Sequence, residues 1–172
     1  AVEAVLTRTT HPKGTLLLEE GRTCRQLWFL ESGFLRFFVN KDGEEATKFF
    51  TEPPYCFTSP RSFNTGAPAA ESIEALEESV VWVLSRDDAY ALLERPSWAA
   101  FVRHLTQEVQ FFTEQILEEL QTKTAEERYS RLVAEGSVLL QKVPLKHLAS
   151  YLGIAPQSLS RIRKKLARQG GS

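Results

Sequence analysis

An α+β fold is predicted: an N-terminal β-roll (a jelly-roll-like double-stranded β-helix), a long helix, then a C-terminal helix-turn-helix with a reduced or absent wing. Three features of the sequence carry this prediction. Short runs of aromatic and branched residues separated by glycine-bearing turns fill residues 10–85. Apolar residues then recur at helical spacing from Trp98 to Ile116. Near the C-terminus lies a proline-started, glycine-broken pair of amphipathic segments, the second densely cationic. The implied division is 1–95 for the roll, 96–122 for the long helix and 123–172 for the helix-turn-helix.

The strand candidates are Thr15–Leu18, Gln26–Leu30, Phe34–Val39, Ala46–Phe50 and Val80–Leu84. Their β-branched and aromatic residues suit a pleated, half-buried surface. Turn signals at Gly14, Gly21, Gly33, Asp42-Gly43 and Pro53-Pro54 separate them. Asp42-Gly43 between apolar runs is a hairpin signal, because that turn needs positive φ at both central residues. Evenly spaced short strands of this kind suit a sandwich or barrel. The stretch from Thr58 to Ala70, with Gly66, two prolines and several small residues, reads as a longer loop or a short helical excursion.

Pro96 opens the long helix. Trp98, Val102, Leu105, Val109, Phe112 and Ile116 are spaced 4, 3, 4, 3, 4, an a/d seam suited to pairing with a second copy. The same helix could instead lie on its own barrel with a wider stripe that includes Phe101 and Phe111. Gln121-Thr122-Lys123 reads as a hinge, and Thr124-Ala125-Glu126-Glu127 as a capping box opening a helix through about Gln141. Tyr129, Leu132, Val133 and Leu139 or Leu140 would give that helix its buried side.

In the terminal pair, Leu145, Leu148, Ala149 and Leu152 form one stripe, with Pro144 at the first helical position and Gly153 just past the end. Pro156 starts the second helix, whose inner residues are Leu159, Ile162 and Leu166. At 100° per residue the opposite face carries Gln157, Arg161, Lys164 and Arg168. Gln157 and Arg161 are the candidate base readers, since Gln and Arg pair bidentately with adenine and guanine edges. Ser158, Ser160, Lys164, Lys165 and Arg168 are the candidate phosphate contacts. The plainer reading is a helix whose cations solvate it and complement its dipole.

Charge distribution favours the first reading. The residues after Gln121 hold ten Lys and Arg against three Glu, net +7, which leaves −8 on the first 121 residues for a total of −1. A basic tail on an acidic body is an electrostatic footprint for a polyanion bound at one end. With 42% hydrophobic and 25% charged residues the composition is that of an ordinary globular chain. No stretch approaches the roughly 20 apolar residues of a membrane span. No secretion signal is evident, so a cytoplasmic location is expected. Cys24 and Cys56 are too few for a structural zinc or an iron–sulfur cluster and read as buried hydrophobes.

Barrel, long helix and helix-turn-helix together resemble the cAMP receptor protein/fumarate–nitrate regulator (CRP/FNR) superfamily of bacterial transcription factors. The likeness covers roughly residues 10–167 and rests on Leu148–Ile154 with Ser158–Ile162, on Gly14–Gly21 and on Trp28–Arg36. It implies a homodimeric, non-enzymatic regulator whose first 95 residues form a cyclic-nucleotide-binding-like sensor. On the resemblance Pro156, Gln157 and Arg161 match base-contacting positions, and Pro156 is set aside because it has no N–H to donate. The cyclic-nucleotide members hold phosphate with a Gly-Glu turn and an Arg-Ser/Thr pair. Here Glu52 to Glu74 has no Gly-Glu, Ala69-Ala70 stand in place of Arg-Ser, and Glu71 and Glu74 would repel a phosphate. Cyclic AMP or GMP is therefore not the expected effector. Haem would need an axial histidine, for which only His11 and His104 are placed.

The expected partners are double-stranded DNA at a promoter operator, a second copy of the chain and a small-molecule effector of unknown identity. A contact with RNA polymerase is left open, and no membrane, cofactor or metal is expected. Two other classes compete. A cupin-like metal oxygenase would need two or three histidines and a carboxylate inside the roll, and His104 and His147 fall on helices. A small-ligand-binding module could carry the same helical tail without reading DNA.

Overall fold

The structure is a computed structural model that describes residues 2–169. Ala1 and residues 170–172, the outer ends of the first and last predicted segments, lie outside the described residues. The chain is a mixed α and β protein. It contains strands β1 (Thr7–His11), β2 (Leu16–Leu18), β3 (Gln26–Ser32), β4 (Leu35–Lys41), β5 (Glu44–Thr51) and β6 (Tyr55–Phe57). Helix α1 (Pro60–Thr65), strands β7 (Ser72–Ala75) and β8 (Ser79–Ser85) and helix α2 (Arg86–Ala91) follow. The rest is helical: α3 (Pro96–Thr122), α4 (Ala125–Ala134), α5 (Leu139–Lys142), α6 (Leu145–Leu152) and α7 (Pro156–Gln169). Among the described residues two compact units result, residues 2–44 with 48–109 and residues 45–47 with 110–169.

The first unit is a jelly-roll-like pair of four-stranded sheets, ordered β1-β8-β3-β6 and β2-β7-β4-β5. Strand β8 pairs antiparallel with β1 and β3, β6 with β3, and β7 with β2 and β4. Alternation sends Leu35 and Phe37 inward, where they meet Leu30, Phe57, Ile73 and Val81. Ring stacking reinforces this core, with Phe37 and Phe49 centroids 4.2 Å apart and Trp28 and Phe57 5.3 Å apart. The β4–β5 turn has positive φ at both Asp42 (55°) and Gly43 (86°), the backbone its Asp-Gly pair anticipates. Gly33 is fixed by a close approach: at φ 109°, a Cβ there would sit 2.2 Å from Ser79 Oγ.

Several sequence expectations need revision. Strands β1, β6 and β7 were not among the candidates, and the excursion at 58–70 contains the short helix α1. Strand β1 is hard to read because Thr7-Arg8-Thr9-Thr10-His11 offers no large apolar residue. It is a sheet-edge strand, and Arg8 forks onto Glu31 at 2.9 and 2.7 Å. The capped helix does not reach Gln141. It stops at Ala134 because Gly136 turns left-handed (φ 63°) and Ser137 N–H closes onto Leu132 O at 2.9 Å, after which α5 begins separately. Val133 is exposed rather than buried. Pro144 sits just outside α6, as its cap, and not at the first helical position.

Trp98 is the main correction among the seam residues. Its ring is buried in the roll core, with Nε1–H donating to Ala89 O at 3.0 Å and the ring packed against Phe29 and Phe101. A side chain spent in this way cannot face a second copy, so Trp98 anchors α3 to its own roll.

Candidate nucleic-acid interface

Helices α6 and α7 are set by local sequence chemistry. Helix α6 buries Leu148, Ala149 and Leu152, and it ends where Gly153 turns left-handed (φ 73°). There Ile154 N–H closes onto Ala149 O at 3.1 Å. Helix α7 restarts at Pro156 and buries Leu159 completely, with Ile162 and Leu166 half-buried on the same side. Tyr129 and Leu132 of α4 and Val143 are buried in the same unit. Arg128 fastens α4 to the pair, donating to Tyr151 O at 2.7 Å with its guanidinium 5.4 Å from the Tyr151 ring centroid. The capping box at the start of α4 is present. Thr124 Oγ1 accepts from Glu127 N–H at 3.2 Å, and Glu127 Oε2 accepts from Thr124 N–H at 2.7 Å. Donation by the Thr124 N–H, and then by its hydroxyl at 2.9 Å, to Oε2 holds the Glu127 carboxyl below its ordinary range.

The outer face of α7 carries Gln157, Arg161, Lys164 and Arg168, all exposed. Arg161, Lys164, Lys165 and Arg168 line one shallow cationic cleft. Among the described residues no carboxylate pairs with Arg161, Lys164 or Arg168. Two predicted phosphate contacts are engaged elsewhere. Lys165 Nζ lies 2.6 Å from Glu126 Oε1, and the Ser160 hydroxyl donates to Pro156 O one turn back at 3.1 Å. Ser158 Oγ is 3.5 Å from an Arg161 nitrogen, at the outer limit of a hydrogen bond. The Glu126 pairing had no pairwise signal in the sequence, because its partner is 39 residues away.

The remaining seam residues lie on α3. Val102, Leu105 and Val109 line an apolar groove of about 290 Å³ with Leu27, Phe63 and Tyr90. Phe112 is exposed and Ile116 half-buried. Phe101, Val109, Phe111, Phe112, Leu117 and Leu120 place much of the chain's exposed large apolar surface on this one helix.

In the roll, the region from Glu52 to Glu74 is tied to its own chain. Ser62 Oγ, fully buried, accepts from Cys24 N–H at 2.8 Å and donates to Ala67 O at 2.5 Å. Gly21 N–H donates to Ala69 O and Ala69 N–H to Arg22 O, each at 2.8 Å. Glu71 pairs with Lys48, and Glu74 lies 3.4 Å from the buried Arg36, whose guanidinium covers the Phe38 ring. The two glutamates are therefore not bare repulsive charges, as the sequence suggested, because each has a cation beside it. Burial pushes the Cys56 thiol up to about 12, and both cysteines are free. Among the described residues there is no group of three or more His, Cys, Asp or Glu placed to hold a metal, and no helix long and apolar enough to cross a membrane.

A two-sheet roll followed by a long helix and a compact set of short helices is an architecture shared with solved regulator structures. Solved structures of that fold match over nearly the whole chain. FixK2 from Bradyrhizobium japonicum matches at 20% identity with a TM-score of 0.79, over 96% of this chain and 86% of that one. A protein from Eubacterium rectale assigned to the crp/fnr family of transcriptional regulators matches at 17% identity with a TM-score of 0.80, over 98% and 82%. The catabolite activator protein of Thermus thermophilus matches at 23% identity with a TM-score of 0.59, over 97% and 81%. The resemblance read in the sequence is thus supported at the level of the fold. The cyclic nucleotide-binding domain family matches residues 8–96, more than half of the chain, and the chain belongs to that family. Among curated proteins none matches the sequence.

Proposed function

We propose that the chain is a dimeric, sequence-specific DNA-binding transcriptional regulator, not an enzyme. In this reading residues 1–95 sense, 96–122 dimerise and 123–172 read DNA. Helices α6 and α7 act as a helix-turn-helix with α7 in the major groove. Gln157 and Arg161 read base edges, and Lys164 and Arg168 anchor phosphates, with Ser158 and Lys165 at the flank. Ser160 is the weakest of the candidate contacts because its hydroxyl is already bonded to Pro156 O.

One observation carries the reading: Arg161, Lys164 and Arg168 share an exposed face with Gln157, opposite the buried Leu159, and no carboxylate among the described residues neutralises them. Any amphipathic helix keeps charge away from its buried stripe, so it is the lack of a carboxylate partner for these cations, more than their side, that favours an external anion. The second copy would pair through Val102, Leu105, Val109, Phe112 and Ile116, and the exposure of Val109 and Phe112 supports this. Two-fold pairing supplies the second recognition helix that a palindromic operator needs. RNA polymerase is a further partner the resemblance implies.

The effector is proposed to be something other than a cyclic nucleotide. Alanines at 69 and 70 offer no side chain to a phosphate, and Lys48 and Arg36 already face Glu71 and Glu74. Burying a phosphate without a cation to meet it is costly. Whatever binds would act by shifting the two α3 helices and thereby the spacing of the α7 pair.

The test is selection of bound duplexes from a random pool by the full chain, with and without cell extract. Enrichment of a two-fold symmetric motif is the expected result. A pool that remains random in both arms would leave the helical tail without a reading role.

A further inference from the structure

We propose that Glu126 is a positioning residue for DNA binding: it holds Lys165 at the flank of the proposed reading helix and withholds one cation from the phosphate backbone. The inference rests on the DNA-binding reading and adds a role for an acidic residue that the reading does not use.

Lys165 Nζ is 2.6 Å from Glu126 Oε1, and both side chains are partly exposed, at 55% and 37%. On α7, Lys165 lies about 40° from Arg161 and about 60° from Arg168 around the helix axis, and it lines the same cleft as those two and Lys164. It is therefore within reach of a phosphate held by its neighbours, yet it alone of the four has a carboxylate partner among the described residues.

The α4 start explains why Glu126 is the partner. Glu127 is committed to the capping box with Thr124. Glu119 and Glu135 are both on Arg131. Of the three acids after Gln121, only Glu126 is left to meet α7.

A phosphate reaching Lys165 has to compete with Glu126, and because the pair is exposed and salt-screened that competition is modest, weakening the contact by a small factor. That exchange trades one anion for another at Lys165 and returns little net affinity. Removing the Glu126 charge would leave Lys165 with phosphate as its nearest anion. The affinity gained would be sequence-independent, because phosphate contacts position the protein without reading bases. Glu126 would thus lower non-specific binding while leaving Gln157 and Arg161 to discriminate.

A mutant cycle on the full chain tests this, with binding to a short random-sequence duplex followed by fluorescence anisotropy across a salt series. Glu126→Gln should tighten binding by about two- to fivefold, and it should steepen the slope of log K against log salt by up to about 0.9, one further phosphate. In the Lys165→Ala background the same change should have no effect on either quantity. Glu135→Gln removes an equal charge from the end of α4 and should leave the slope unchanged. A Glu126→Gln gain that persists without Lys165, or that Glu135→Gln reproduces, would show general repulsion and overturn the positioning role alone. A wild-type chain with no salt-dependent binding overturns the DNA reading itself, and this proposal with it.

Discussion

Arg161 is the residue on which the reading chemistry depends most. A bidentate guanidinium–base contact discriminates by about 1–3 kcal/mol per base pair. Arg161→Ala should therefore flatten the preference for the selected motif at one position of each half-site, read by gel shift on single-base operator variants. Unchanged selectivity would place base reading elsewhere. Trp98 makes the opposite kind of prediction. Its buried ring and its bond to Ala89 O are structural, so Trp98→Ala should cost about 3–5 kcal/mol of stability, measured by denaturant unfolding. Cys56 supplies a chemical check on the roll. With its thiol raised to about 12 by burial, it should react with a thiol reagent at pH 8 far more slowly in the native chain than in the unfolded chain. Equal rates would mean that this strand is open. Single residues were unevenly legible in the sequence. The helical wheel placed Gln157, Arg161, Lys164 and Arg168 together on one face, because that follows from a local period. Nothing local could show that Lys165 meets Glu126, that Glu71 meets Lys48, or that Trp98 turns into the roll.

At the scale of elements, those with a strong local signal were legible. The Asp42-Gly43 turn, the Pro96 start of α3, the Thr124 capping box and the Gly153 break each carry their own backbone chemistry. Strand β1 was hidden because its residues are polar and its pairing with β8 is set from the far end of the roll. The break at Gly136 was missed because apolar periodicity continues across it into α5, while the backbone does not. The capping box makes a pH prediction. The Glu127 carboxyl is held low by Thr124, so its contribution is present above the unfolded value near 4.5 and is lost as pH falls through the lower folded value. Helicity of α4 should therefore weaken on acidification below that range. Glu127→Gln, which removes the titrating carboxyl and leaves the Thr124 N–H and hydroxyl in place, should remove most of this pH response in circular dichroism. A response that survives the substitution would have another source.

For the whole molecule, the proposal joins a domain of the cyclic nucleotide-binding family to a cationic helix through α3. Val109→Asp places a charge on the exposed apolar seam of α3, away from the buried Trp98. It should convert a dimer to a folded monomer by analytical ultracentrifugation and weaken operator binding far more than binding to random DNA. A dimer that survives would move the interface off α3. The two-sheet roll and the run of helices after it were legible because strand spacing, helical periodicity and a glycine break are each local patterns. The effector was not legible, because recognition there depends on which side chains the roll brings together across its sheets. The most direct test of the central claim is the salt dependence of binding to a selected operator and to a random duplex, compared in one titration series. The account predicts that both affinities fall linearly with log salt, by about 0.9 per phosphate neutralised, while the operator stays tighter throughout. Binding that ignores salt, or that is equal for the two duplexes at every salt concentration, would contradict it.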